Sequence, residues 1–402
     1  MTVPSSHSRP TIRLKPKANS RAIRRGFPWV YANELVTDRR TRALSPGTLV
    51  VLEDDERTAM GLFAVNPLSK IMGRFIDSDP AAVVDRDWFA RRLTRALELR
   101  TQLYDTPYYR LVHAEADGLP GVVIDRFGDV FVIQPNAAWI ELCLDDLAAA
   151  LVDLTGAKVV LKNAGGRTRS LEGLDDLSVA LVGAAPEAAV PVQMNGATYM
   201  ADLTGGQKTG LFFDQRPNHA FAAQLARKGA RVLDVFSHVG GFSLAALAHG
   251  ASHALAVDGS APALELARAG AAATGAGARF ETRQGDAFEV LSALGEEGAS
   301  FEVVICDPPA FAPSKPSLEA GLRAYERIAR LGTALVGEGG YLVLCSCSHA
   351  ADMERFRGAC LRGIGRAGRQ AQLIHTGTAG PDHPLLPQLA ESGYLKALFF
   401  RL

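Results

Sequence analysis

The sequence predicts an α/β protein in three parts: a small β-rich unit over 1–80, an α+β middle unit over 81–190, and a parallel sheet covered by helices over 191–402. Three observations lead there. From residue 231 onward, apolar strand-like runs alternate with helical runs, the pattern of a parallel sheet with crossover helices. Before residue 80, short apolar runs are broken by polar turns, as in a compact β unit. The length, 402 residues, exceeds what one core comfortably serves.

In the first part, "GTLVVLEDDERTAMGLFAV" reads as strand, polar turn and strand, and "SKIMGRFID" as a third strand. Ahead of them, "RRGFPWVYANEL" sets Trp29 and Tyr31 among Arg24, Arg25 and Gly26. Aromatics among arginines suit stacking on unpaired bases and pairing with phosphates. Packing of Trp29 inside the β unit is the other reading, and the stretch taken alone favours it. From Met1 to Ser45 ten Lys/Arg stand against two acids, Glu34 and Asp38, although the whole chain balances 43 against 43. A basic end on a near-neutral chain fits a polyanion-binding module, and a solvated terminus fits it equally.

The middle part opens with a helix over about 87–104. "RLVHAEADGLPGVVIDRFGDVFVIQ" follows, with turns at Gly118, Pro120 and Gly121 and a strand on each side of "DRFGD". "AAWIELCLDDLAAALVDLTG" predicts one helix and "KVVLK" a strand. Without a nucleotide loop or a metal-spaced cluster, this part reads as a spacer or substrate-positioning domain.

In the last part "RVLDVF", "HALAVDGS", "RFETRQGD", "FEVVICDPP", "YLVLCSC", "AQLIHT" and "YLKALFFRL" supply seven strands. The first four lead to Asp234, Asp258, Asp286 and Asp307 in turn. Ligands of such sheets bind outside the carboxyl ends of the strands. The loop "DVFSHVGGF" is neither a dinucleotide fingerprint nor a phosphate cradle. Four carboxylates would repel a pyrophosphate and suit S-adenosylmethionine, which carries a ribose, a sulfonium and an amino group. Aspartate is also a common turn former, which accounts for one or two of the four more easily than for all.

"CDPPAF" places Pro308, Pro309 and Phe311 after a buried strand, where they would face a flat substrate. Many methyltransferases acting on exocyclic amino nitrogens carry a similar segment. The five cysteines, Cys143, Cys306, Cys345, Cys347 and Cys360, form no disulfide framework. Cys345, Cys347 and His349 are too cramped for a zinc site and have no second ligand pair, so no metal is expected. Cys345, after four apolar residues, reads as core. Cys347, at the strand's mouth beside Asp307, suits a nucleophile. Carbon 5 of a pyrimidine reacts poorly until a thiolate adds to carbon 6; Asp307 would then hold the base's N3 edge.

"GFPWVYANEL", "RLVHAEADGLPGVVIDRFGD", "GQKTGLFFDQR", "DVFSHVGGF", "CDPPAFAPSK", "CSCSH" and "GYLKALFFRL" together resemble the ribosomal RNA large-subunit methyltransferase I family, class I enzymes forming 5-methylcytosine. The resemblance implies an N-terminal PUA-like RNA-binding domain, a middle domain and a Rossmann-like methyltransferase domain. It assigns the nucleophile to Cys347 and cofactor contacts to Asp234, Ser237, Gly240, Gly241, Asp258, Asp286 and Asp307. Lys208, Thr209, Asp214 and Arg216 would wrap the cofactor from the other side. The loop departs from the family's usual wording at His238 and Val239, and Cys345 is an extra cysteine. Arg24, Arg25 and Trp29 remain the candidate contacts to large-subunit rRNA.

Two other functions are compatible: a purine-nitrogen rRNA methyltransferase using Asp307-Pro-Pro-Phe with no covalent step, and a non-catalytic RNA-binding ribosome-assembly protein. A small-molecule methyltransferase leaves the basic aromatic N-terminus unexplained. The N-terminus has no apolar signal region and no run is long enough to cross a bilayer, so a cytoplasmic protein is expected, a homodimer being one possible state.

Overall fold

The computed structural model describes residues 9–205, 210–226 and 229–402. The chain forms two compact units. One runs to Ala185 and includes Asp382–Ser392; the other starts at Pro186 and includes Gly210–Pro381 and Gly393–Leu402.

The first unit holds two five-stranded sheets. Strands Thr48–Glu53, Ala59–Val65 and Ile71–Asp77 pair antiparallel, flanked by Thr11–Arg13 and Trp29–Tyr31. The polar turn "EDDERT" closes on Asp54, whose Oδ1 accepts the N–H groups of Glu56 and Thr58 at 3.0 and 2.8 Å. Alternation along these strands sends Val50, Leu52, Phe63 and Met72 into one core with Ile12, Val30 and Leu35. The helix Arg86–Leu103 starts where Asp85 caps Trp88 N. Its Trp88, Phe89 and Leu93 share a second core with Leu62, Ala64 and Ile76 of the first sheet.

The helix expected over "AAWIELCLDDLAAALVDLTG" is two helices, Ala138–Glu141 and Leu144–Thr155. The break falls at Cys143, whose backbone leaves the helical region at φ −126°, ψ 13°. It lets Trp139 seat against Phe89 and donate to the Pro120 carbonyl at 2.9 Å, while the second helix buries Leu144, Leu147 and Leu151 on its own phase.

The second unit is built on a seven-stranded sheet: β1 (Arg231–Val235), β2 (His253–Asp258), β3 (Phe280–Gln284), β4 (Phe301–Cys306), β5 (Val336–Ser346), β6 (Gln372–Gly377) and β7 (Lys396–Arg401). Their order is β3-β2-β1-β4-β5-β7-β6. The order reverses at β1, which pairs with both β2 and β4, and such a reversal opens a crevice at the carboxyl edge.

The sheet departs from the all-parallel expectation. β7 lies antiparallel between β5 and β6. No helix of crossover length joins β6 to β7, so the chain turns back instead of crossing over. No helix of the described residues is long and apolar enough to cross a membrane.

Candidate active site

The four acids stand where the strand ends put them, but each has a different environment. Asp234, in β1, is fully buried; its Oδ2 accepts Ser243 N at 2.9 Å. Its Oδ1 has no hydrogen-bond partner among the described residues. Burial pushes this carboxyl up to about 6, opposed by the Ser243 N–H, and the charge of Asp258 adds to the rise. Asp258 ends β2 and accepts His238 N on Oδ2 and Ser260 N on Oδ1, both at 2.8 Å. Asp286 is exposed and caps the helix Ala287–Glu296 through the N–H groups of Phe288 and Glu289. For Asp258 and Asp286 the turn-forming tendency of aspartate is therefore visible in the backbone bonds they make.

The loop from Phe236 to Gly240 is strained. Phe236, His238 and Gly240 take φ of 64°, 49° and 82°. Non-glycine residues held there cost on the order of 1–3 kcal/mol each, and such strain clusters at functional sites. Histidine is among the side chains that tolerate this region best. His238 is held by its N–H bond to Asp258 and by an edge contact to Phe212, 5.1 Å between centroids. Behind Gly241, a Cβ would lie 2.7 Å from His219 Nε2, so only glycine admits the helix this close. Ser237 Oγ and His219 Nδ1 are buried and, like Asp234 Oδ1, have no hydrogen-bond partner among the described residues.

Asp307 follows β4 and is half-buried. Its Oδ2 accepts Gln215 Nε2 at 2.9 Å, and Gln215 Oε1 in turn accepts Asn218 Nδ2 at 2.6 Å. Asp214 Oδ2 accepts the hydroxyl of Tyr394, and Arg216 is buried with its guanidinium 5.7 Å from the Phe213 ring. Lys208 and Thr209 lie outside the described residues. Pro308 is buried and Pro309 exposed. Phe311 is half-buried among Phe236, Phe288 and Tyr325, with centroids 6.2, 6.0 and 5.0 Å away, so its ring helps close the core.

β5 runs one residue past Cys345, to Ser346. Cys345 is buried, and burial, then the Asp307 charge, hold its thiol well above the ordinary cysteine value. Cys347 lies just beyond the strand and is half-buried. Hydroxyls pin this loop: Ser346 Oγ donates to Tyr325 Oη at 2.8 Å, Tyr325 Oη and Ser348 Oγ lie 2.7 Å apart, and Ser348 Oγ accepts Ala312 N at 2.9 Å. Lys396 Nζ donates to the carbonyls of Ser348 and Tyr394 at 2.9 and 2.8 Å. Gln215, Tyr325 and Lys396 escaped the reading of the sequence. "FFDQR" and "GYLK" contain two of them, but nothing in their spacing links them to Asp307 or Cys347. No cluster of metal-ligating side chains occurs among the described residues.

In the first unit, Arg24 pairs with Asp54, and Trp29 Nε1 donates to Glu115 Oε1 at 2.8 Å. Arg74, itself buried, contacts Glu115 and Glu172 at 3.2 and 2.9 Å. Arg25 is exposed and lines an open recess with Asn19, Arg21, Phe27 and Gln388. Phe27, Trp29 and Tyr31 form a half-exposed aromatic trio with centroids 6.4–6.5 Å apart.

A family model for S-adenosylmethionine-dependent methyltransferases matches residues 143–401, and one for a PUA-like domain matches residues 12–78. A ribosomal RNA large subunit methyltransferase of Deinococcus radiodurans is 36% identical over the whole of both chains. The ribosomal RNA large subunit methyltransferase I of Alteromonas mediterranea is 36% identical over 96% of this chain and 97% of its own. A Streptococcus mutans chain assigned as a SAM-dependent methyltransferase superposes with a TM-score of 0.80 at 20% identity, covering 98% of this chain and all of its own. A second solved chain, complexed with SAH, gives 0.81 over the same shares, also at 20% identity.

Proposed function

Since the chain belongs to the ribosomal RNA large-subunit methyltransferase family of S-adenosylmethionine-dependent enzymes, we propose that it methylates carbon 5 of a cytosine in large-subunit rRNA through a covalent bond from Cys347. The observation that carries this reading is the contrast between two cysteines two residues apart. Cys345 is sealed in the core with its thiol held protonated; Cys347 is half-exposed at the carboxyl edge of the sheet, where the sites of such folds lie.

The residues around β1 fit the cofactor. Among the described residues, a buried carboxylate oxygen at Asp234 and a buried hydroxyl at Ser237 have no hydrogen-bond partner, and no basic side chain pairs with Asp234. A cationic amino group there satisfies both a hydrogen bond and a charge. Gly240 and Gly241 allow close backbone approach, and Asp258 retains lone pairs for ribose hydroxyls. Asp214 and Arg216 would complete the cradle. When bound, S-adenosylmethionine supplies an electrophilic methyl on its sulfonium.

The protein's own part is to make the base receptive. Cys347 Sγ bonds to carbon 6 of the pyrimidine, and the ring's electron density shifts to carbon 5. Asp307, steadied by Gln215, holds the N3 edge and shares a proton there. After carbon 5 has been methylated and loses its proton, the carbon 6–sulfur bond breaks and aromaticity returns. Arg25 and its neighbours Arg21 and Phe27 offer charge and a ring to the RNA.

Incubating unmodified large-subunit rRNA with the protein and labelled S-adenosylmethionine, followed by nucleoside mass spectrometry, tests the reading. Label in 5-methylcytidine is expected. Label in a methylated purine would transfer the chemistry to Asp307-Pro-Pro-Phe.

A further inference from the structure

Lys396 opens β7 directly opposite Ser346, the last residue of β5. That register carries its side chain to the segment holding Cys347. Lys396 is only 7% exposed, and Nζ donates to the carbonyl of Ser348, the residue after Cys347, and to that of Tyr394. An ammonium has three N–H groups, and here two are spent on neutral carbonyls. Neither cancels its charge. A buried cation is costly without a counter-charge. Among the described residues, the charges that favour its ammonium are those of Cys347 and then Asp352, whose side chain is 60% exposed and therefore well screened.

We propose that Lys396 is a positioning residue that holds Cys347 as a thiolate, ready to attack; this rests on Cys347 being the nucleophile. In forming the pair, the Sγ–H bond breaks and an Nζ–H bond forms, so a neutral thiol and amine become thiolate and ammonium with no change in total charge. When the adduct collapses, the sulfur leaves carbon 6 with its electron pair and the proton can return.

Three other titratable side chains of the described residues stand beside this segment. Tyr325 comes from the helix Leu318–Ala334 and is engaged by Ser346 and Ser348; burial raises its phenol, and Cys347 adds to that rise. Asp307, just past the neighbouring strand, is a carboxyl group bonded to Gln215. His349 is exposed, with its ring 5.9 Å from that of Tyr394. Burial pulls Lys396 below the ordinary lysine value, which makes the neutral amine accessible as the proton acceptor.

The test is alkylation of Cys347 by iodoacetamide in the full-length protein without RNA, followed by peptide mass spectrometry over about pH 6 to about pH 9. At neutral pH the wild-type thiol is expected to react about tenfold or more faster than in Lys396→Gln, with Lys396→Arg restoring most of the rate. A merely structural lysine would not give rescue that follows charge. Equal rates in all three proteins, each still binding S-adenosylmethionine, overturn the proposal. If Lys396→Gln does not fold, the wild type decides alone, since a pH profile matching that of a free cysteine overturns it as well. Lysine-independent alkylation alongside 5-methylcytidine production sinks this inference and leaves the proposed function standing; a methylated purine product sinks the reading beneath it.

Discussion

Gln215 and Asp307, ninety-two positions apart in the chain, meet through a 2.9 Å hydrogen bond from Nε2 to Oδ2. Asn218 fixes which way the amide faces, because its Nδ2 donates to Gln215 Oε1 at 2.6 Å. The amide nitrogen is thereby committed to the carboxylate. Removing it in Gln215→Ala is expected to lower kcat about tenfold, the loss of one hydrogen bond to a charged group. Cofactor affinity measured by calorimetry should change less than about twofold. Unchanged kcat would mean that Asp307 needs no such support.

The two strand-end cysteines should separate cleanly. Cys347→Ala is expected to abolish turnover and leave S-adenosylmethionine affinity nearly intact; normal turnover would falsify the covalent mechanism. Cys345→Ala should keep most activity and cost about 1–2 kcal/mol in urea unfolding, the usual size of a small cavity at a fully buried site.

Asp234 ties cofactor binding to folding stability. Its carboxyl is raised from 3.8 to about 6 in the folded protein, so between those values the folded state holds more protons than the unfolded state. Stability from this group is therefore full at low pH and is lost as pH rises from about 4 to about 6, by roughly 3 kcal/mol. Comparing urea unfolding of wild type and Asp234→Asn across that window should show the wild-type curve falling relative to the variant's as pH rises, since the buried histidines contribute equally to both. The same substitution should weaken cofactor binding at neutral pH about a hundredfold or more, as a buried carboxylate facing a cation is removed. Parallel stability curves would show that Asp234 does not titrate there.

In the first unit the arginines are not equivalent. Arg24 is spent on Asp54, whereas Arg25 is exposed at the recess beside Phe27. Arg25→Ala should weaken rRNA binding and reduce the salt slope by about 1. Trp29→Phe should act mainly on stability, by removing one of the two hydrogen bonds that Glu115 Oε1 accepts and leaving only that from Arg74. A larger effect of Trp29→Phe than of Arg25→Ala on RNA affinity, with stability unchanged, would reverse these roles.

Much of this was legible in the order of residues. Asp234, Asp258 and Asp307 lie within one residue of the ends of β1, β2 and β4 because apolar runs of strand length end there, and local periodicity needs no partner to be read. Cys347 was marked by the same logic, as the residue where "YLVLCS" runs out. The helix break at Cys143 was not legible, because it is set by where Trp139 and Leu144 must each find their core.

What the sequence determined by itself is the seven strands of the parallel-type sheet, the acids near their ends and the cysteine at the mouth of β5, since these follow from patterns along a single stretch of chain. The tertiary structure decided which distant groups serve them. β7 entering antiparallel beside β5 brings Lys396 opposite Ser346, and the turn before Arg216 carries Gln215 to Asp307. Strand order and direction come from how separate segments bury their faces against one another, and a side chain's charge acts on whatever that packing brings near.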